Sequence, residues 1–239
     1  MMRCGSVGAR VAAGGGPLAF LGTHADLFST GNVSSLESAS WAVSGSNRLL
    51  LAFAASGAGT PADSSAVKWG GSGGTALTKQ GSTLAVGPYG KISLYSLVAP
   101  TAQTSTSYYQ WLSAQDETAA GTLAFTGANQ SAPLGTVATA SGIGTTTLSP
   151  SVAVASAVGD LVVAACWMVD ASSNNRAITS NGGTTLYDAD VGTYEFLIVQ
   201  SKVATTTTTT VTFDISGGAG GGGGAGDVSW GLIGVAVKP

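Results

Sequence analysis

The chain carries one pattern twice. Leu21-Gly22-Thr23, a segment around Trp41 and the apolar run Leu49-Leu50-Leu51-Ala52-Phe53 return as Leu134-Gly135-Thr136, Val152-Ala153-Val154 and Leu161-Val162-Val163-Ala164-Ala165. Leu134 stands 113 residues after Leu21, and Leu161 stands 112 after Leu49. Gly73-Gly74-Thr75-Ala76-Leu77 and Gly182-Gly183-Thr184-Thr185-Leu186 are 109 apart, and Val98-Ala99 and Val203-Ala204 are 105 apart, a drift that changes in loop length explain. A period of about 110 residues is far too long for a solenoid. It describes two copies of a many-stranded unit, 17–129 and 130–239, after a glycine-rich leader, 1–16. The link at 127–132 is short, which suits neighbouring elements packed into one core.

Almost every segment alternates with period two, or is a short apolar run bounded by Gly, Ser, Asn or Pro, and helical periodicity is nowhere sustained. The first copy reads as strands at 17–23, 38–43, 48–55, 67–69, 76–80, 91–98, 104–112 and 121–126. The second reads as strands at 134–140, 151–155, 160–169, 176–179, 185–188, 194–203, 206–215 and 227–237. The threonine tract 205–210 belongs with them, because it runs into Val211-Thr212-Phe213 in alternation and β-branched residues suit a pleated surface. Trp41, Leu50, Phe53, Phe125, Leu161, Val163, Trp230 and Leu232 are the expected core, together with Trp167.

Charge narrows the function. Charged residues are 9% of the chain, against about 25% in an ordinary globular protein, and the net charge is −3. No basic footprint for a phosphate backbone exists, so nucleic acid is not an expected partner. No apolar run approaches the length of a membrane helix, and Val11-Ala12-Ala13 is too short for a secretory core. No membrane partner is expected. A weakly charged surface of this kind is poorly defended against association. The tract 217–226 holds eight glycines and two alanines. It and the leader are expected to gain order only within an assembly, because glycine loses the most backbone freedom and buries nothing.

No motif specifies a reaction. Gly70-Gly71-Ser72-Gly73-Gly74 fits the G-x-S-x-G string, but that elbow needs a following helix and a downstream histidine. The single histidine, His24, lies upstream and reads as a surface or interface residue. One histidine cannot make a zinc site. Asp188, Asp190 and Glu195 could offer oxygens to Ca²⁺, yet they lack EF-hand spacing and read as a solvated turn. Asp116-Glu117 reads as a turn that keeps a sheet end soluble. Cys166 lies in an apolar run and reads as a small buried hydrophobe, while Cys4 lies in the leader; two cysteines in non-equivalent places make no disulfide framework. The glycine tract matches G-x-G-x-x-G only as any polyglycine does, and Asn32-Val33-Ser34 and Asn129-Gln130-Ser131 are chance sequons without a secretory signal. Expected catalytic residues, cofactors and metals are therefore none. Trp69, Tyr89, Tyr108, Tyr109 and Trp111 are the candidates for a wet face, as interface or ligand aromatics.

Several segments together carry a resemblance. Ser46-Asn47-Arg48-Leu49-Leu50-Leu51, Val67-Lys68-Trp69-Gly70-Gly71 with Ala76-Leu77-Thr78, Ser93-Leu94-Tyr95-Ser96-Leu97-Val98-Ala99-Pro100, Phe125-Thr126-Gly127-Ala128-Asn129-Gln130, Val158-Gly159-Asp160-Leu161-Val162-Val163 and Gly234-Val235-Ala236-Val237-Lys238-Pro239 resemble jelly-roll-type β-sandwich modules of tailed-phage virion structural proteins and bacterial surface proteins. The resemblance implies an all-β, jelly-roll-like antiparallel β-sandwich and a non-enzymatic structural role at the virion surface, as capsid decoration or spike ahead of a tail or baseplate component. It also implies other virion proteins (capsid or tail) as partners; the weakly charged surface and the two glycine-rich segments point to a homo-oligomer, with a trimer among the candidates. A carbohydrate-binding or host-recognition module on a phage tail or cell surface is the alternative.

Overall fold

The computed structural model describes residues 17–25, 27–57, 59–144, 148–170, 177–191, 195–216 and 228–239. The leader 1–16, with Cys4, and the glycine tract 217–226 lie outside the described residues. What is described is all-β, with antiparallel sheets and no helix.

The first half holds β1 (Ala19–Thr23), β2 (Phe28–Ser29), β3 (Val33–Glu37), β4 (Trp41–Val43), β5 (Leu49–Gly57), β6 (Ser64–Trp69), β7 (Thr75–Ala76), β8 (Thr78–Val86), β9 (Gly90–Val98), β10 (Gln103–Ser105), β11 (Ser107–Gln115) and β12 (Glu117–Thr126). The second holds β13 (Ala138–Gly144), β14 (Ser151–Ala155), β15 (Leu161–Asp170), β16 (Ala177–Asn181), β17 (Thr184–Asp190), β18 (Glu195–Val203), β19 (Thr208–Ser216) and β20 (Val228–Val237). An inner sheet of the first half runs β1-β12-β5-β9-β8, with β2 also on β12, and an outer sheet runs β3-β11-β6-β7 beside the pair β10-β4. The second half has an inner sheet β13-β20-β15-β18-β17 and an outer sheet β14-β19-β16.

Side-chain alternation arranges these sheets in layers. From β5, Leu49, Leu51, Phe53 and Ala55 enter a central cluster, while Leu50, Ala52 and Ala54 enter a second cluster with Val67, Trp69, Tyr109 and Trp111 of the outer sheet. From β15, Val163, Ala165, Trp167 and Val169 enter the same central cluster, and Val162, Ala164, Cys166 and Met168 turn the other way onto Val211, Phe213 and Ile215. The two inner sheets therefore pack face to face, each with an outer sheet behind it. This explains why the runs at 49–55 and 161–169 are apolar without a break: each strand is covered on both faces, where an ordinary antiparallel strand has one wet face. Each large side chain so buried contributes about 1.5–3 kcal/mol. The threonine tract shows the contrasting case. Only Thr208 to Thr210 of the tract are strand, since 205–207 form the bend that leads into β19; within β19 buried and open positions alternate, and Thr209 turns inward to hydrogen-bond Ser156 at 3.0 Å.

Leu50, Phe53, Phe125, Val163, Trp167, Leu232 and Cys166 are buried as expected. Trp41, Leu161 and Trp230 are half-buried and line the margins of the clusters. β2 and β3 were not legible, being short or polar edge pieces. β12 starts at Glu117 and not at 121, because its first residues pair with the far end of β5, Glu117 opposite Gly57. The Gly70–Gly74 segment is the β6–β7 turn; a Cβ on Gly74 would lie 2.2 Å from the Trp69 carbonyl oxygen, so only glycine fits there.

Candidate functional site: the seam between the two halves

Strand period decides the fate of the five candidate aromatics. Tyr108 and Tyr109 are adjacent on β11 and so point to opposite faces, whereas Tyr109 and Trp111 share the inner one. Tyr109, Trp111 and, on β6, Trp69 are buried, at 0, 2 and 2% exposure. This corrects the wet-face reading for those three: they fill the cluster between the inner and outer sheets of the first half. Trp69 stands edge-on to Trp41, with ring centroids 5.1 Å apart. Tyr108 is half-buried, with the Lys68 ammonium 6.0 Å over its ring. Tyr89 is 43% exposed.

His24 requires a second correction. It is buried, at 3% exposure, and its ring meets Trp41, Tyr109 and Tyr187 edge-on at 6.0, 6.1 and 5.9 Å between centroids. Its Nε2 accepts the Thr122 main-chain N–H at 3.1 Å, and its Nδ1 lies 2.6 Å from the Ala25 carbonyl oxygen. A backbone N–H only donates and a carbonyl only accepts, so the imidazole is neutral with its proton on Nδ1. The Tyr109 hydroxyl, 3.0 Å from Nε2, donates to it and is itself hydrogen-bonded to the Thr122 hydroxyl. Burial holds the Tyr109 phenol far above its ordinary pKa, so it stays protonated.

Tyr187 ties this network to the second half. Its hydroxyl donates to the Ala120 carbonyl at 2.7 Å and accepts the Leu27 N–H at 2.8 Å. Its ring lies flat on β12 at Gly121, where an added Cβ would be 3.0 Å from ring carbons. A glycine inside a strand often marks such an approach. Gly121 in the otherwise regular run 117–126 was the one sequence signal for this contact; nothing in the sequence named Tyr187 or Thr122.

A different polar group lies where β12 begins and β15 ends. Glu195 is 4% exposed and Asp170 2%, while Glu117 is half-buried. A Cβ on Gly57 would come within 3.2 Å of Glu195 Cγ and 3.6 Å of Glu117 Cβ, so both carboxylates flank that glycine. Burial first, then the neighbouring carboxylates of Glu117 and Asp170, push the Glu195 carboxyl up to about 8. Burial and Asp116 likewise raise Glu117.

Asp188 and Asp190 are not part of this cluster. They are exposed on the face of β17 opposite Ala189, which enters the central core, and they line a shallow depression with Ala177, Ile178 and Phe196. This corrects the solvated-turn reading of the three carboxylates: Asp188 and Asp190 are open but belong to β17, and Glu195 begins β18 and is buried. Among the described residues no His, Cys, Asp or Glu group could hold a metal ion. Compared with protein-family models, curated proteins and solved structures, the chain matches none.

Proposed function

We propose that this protein is a non-enzymatic structural protein that works through contacts with other subunits. The setting is the one the resemblance implies, the surface of a tailed-phage virion, as a capsid decoration or spike. The observation that carries the reading is a run of open apolar side chains along one sheet edge: Phe20, Leu21 and Phe28 on β1 and β2 are 36, 40 and 45% exposed. An edge strand with free main-chain groups and apolar side chains favours association unless it is blunted by charge, and this chain has few charges. We also read the halves as copies of one jelly-roll-like β-sandwich unit of about 110 residues. In support, β1, β12, β5, β9 and β8 follow the same relative chain order across their sheet as β13, β20, β15, β18 and β17 across theirs.

Light scattering on the full chain should give a homo-oligomer of fixed order at micromolar concentration, and mass spectrometry should find the chain in purified phage particles. A monomer at every concentration that retains a glycan on a glycan array would instead favour the carbohydrate-binding reading, for which Tyr89 is the most open of the candidate rings.

A further inference from the structure

We propose that Asn181 is a self-modifying site: with the main-chain nitrogen of Gly182 it closes to a succinimide that water opens to aspartate and isoaspartate, and the product loosens β16 from β19.

The chain has six asparagines, and Asn181 is the one followed by glycine. Ring closure needs the nitrogen of the next residue to reach the side-chain carbon, and glycine puts no side chain in the way. The spot is open: Asn181 and Gly182 are exposed, and a Cβ on Gly182, at φ +72°, would meet nothing within 4 Å. Asn129 makes the contrast. Its Oδ1 is tied to the N–H groups of Ser131 and Ala132 at 2.9 and 3.0 Å, and Gln130 follows it.

In the first step the Gly182 nitrogen bonds to Asn181 Cγ, the Cγ–Nδ2 bond breaks, and ammonia leaves with the proton that the nitrogen gives up. Water then adds to one of the two ring carbonyl carbons. Opening at Cγ leaves an aspartate. Opening at the main-chain carbonyl carbon leaves an isoaspartate, whose main chain runs through the former side chain and is one carbon longer.

The surroundings make either product costly. Asn181 ends β16 in the outer sheet, and after Gly182 and Gly183 the chain starts β17 in the inner sheet. Asn181 Nδ2 donates to Asp214 Oδ2 on β19 at 2.9 Å, and Asp214 Oδ1 accepts the Ser149 hydroxyl at 2.9 Å. A carboxylate accepts and does not donate, so the product loses this bond and sets a second negative group against Asp214. Like charges on neighbouring strands repel. The extra carbon of isoaspartate meets a tight passage downstream: a Cβ on Gly183 would lie 2.2 Å from Gln200 Oε1 and 2.8 Å from the Ser201 carbonyl oxygen. β16 takes up the change, because it is the edge of its sheet and pairs with β19 alone. While the bond to Asp214 holds, it restrains the carboxamide and slows the reaction. The inference does not depend on what partner the protein has.

Peptide mapping by mass spectrometry on the folded full chain, aged at mildly alkaline pH, tests it. The exchange of NH₂ for OH should accumulate first in the peptide holding Asn181. Conversion first at another asparagine, or none at Asn181, would overturn the proposal. Asp214→Ala frees the carboxamide and should speed the conversion severalfold; an unchanged rate would overturn the restraint assigned to Asp214. Asn181→Asp, the aspartate product made directly, should lower hydrogen-exchange protection in β16 by about two- to fivefold at neutral pH, while β5 keeps its own. Should a variant fail to fold, the wild type still decides: aged chains converted at Asn181 should have lost protection in β16 relative to fresh ones. Equal protection in the two would overturn the loosening of β16.

Discussion

The two polar groups near the junction of the halves handle burial in opposite ways. Around His24, each donor meets an acceptor across three layers: imidazole, phenols, a threonine hydroxyl and main chain. Around Glu195, like charges meet each other, and the Glu117 Oε2 is buried with no hydrogen-bond partner. A satisfied network adds register and stability, because removing one member strands the others. A carboxylate cluster does the reverse at neutral pH, because desolvation and like charge both oppose ionisation. The seam around His24 therefore helps to hold the halves together, and the acid corner is held together by its apolar surroundings.

The strongest way to break this contrast is to remove those surroundings. Trp167 is fully buried, donates from Nε1 to the Ser56 carbonyl at 3.2 Å, and packs on Gly57 beside Glu195. Trp167→Ala should lower unfolding stability by about 3–5 kcal/mol; a loss under about 1 kcal/mol in denaturant melts would mean that the corner is self-supporting. At the seam, Tyr187→Phe keeps the ring and deletes only the hydroxyl, leaving the Leu27 N–H and Ala120 carbonyl unmet. A loss of about 1–3 kcal/mol is expected, with exchange increased at β2 more than at β5. A neutral result would show that the seam is packing alone.

The sequence made the strands legible and the seam illegible for one physical reason. Period-two alternation and glycine-bounded runs are local, so β5, β15, β18 and β20 could be read within a residue or two. Which face of a strand is wet depends on what lies across from it. Composition alone puts Tyr108, Tyr109 and Trp111 in one aromatic set, but alternation separates the first from the other two, and the outer face of β11 is open while its inner face meets β5 and β12. His24 reads from sequence as a surface or interface residue because its partners, Thr122 and Tyr187, are 98 and 163 positions away and polar groups of that kind leave no mark in composition. The aliphatic core was easier to find, since Leu49 to Ala55 had to be buried on both faces whichever strands covered it.

A smaller effect sharpens the acid corner. Folding raises the Glu195 pKa from an unfolded value of 4.5 to about 8, so the native state binds a proton that the unfolded chain has released. Its contribution is fully present below about pH 4.5 and is lost as the pH climbs through about 8. Glu195→Gln, permanently uncharged, should match the wild type at pH 4.5 and be more stable by about 1–2 kcal/mol at pH 8.5, once solvent screening is allowed for. Equal pH profiles for the two proteins would show that the corner is wet and its carboxylates independent.

The smallest expected change belongs to a charge pair in water. Lys91 Nζ lies 2.7 Å from Asp63 Oδ1, with both side chains a third or more exposed. The hydrogen bond from Lys91 lowers the Asp63 pKa below 3.8, which is the opposite sign to Glu195. Stability from this pair is therefore present above about pH 4 and lost as the pH falls through the folded-state value. Asp63→Asn should cost under about 1 kcal/mol at pH 7 and in low salt, and still less at high salt, because both side chains stay in contact with solvent and its ions. A loss as large as that of Tyr187→Phe would put the outer charges on a par with the seam, and the contrast between buried and exposed polar groups in this fold would no longer hold.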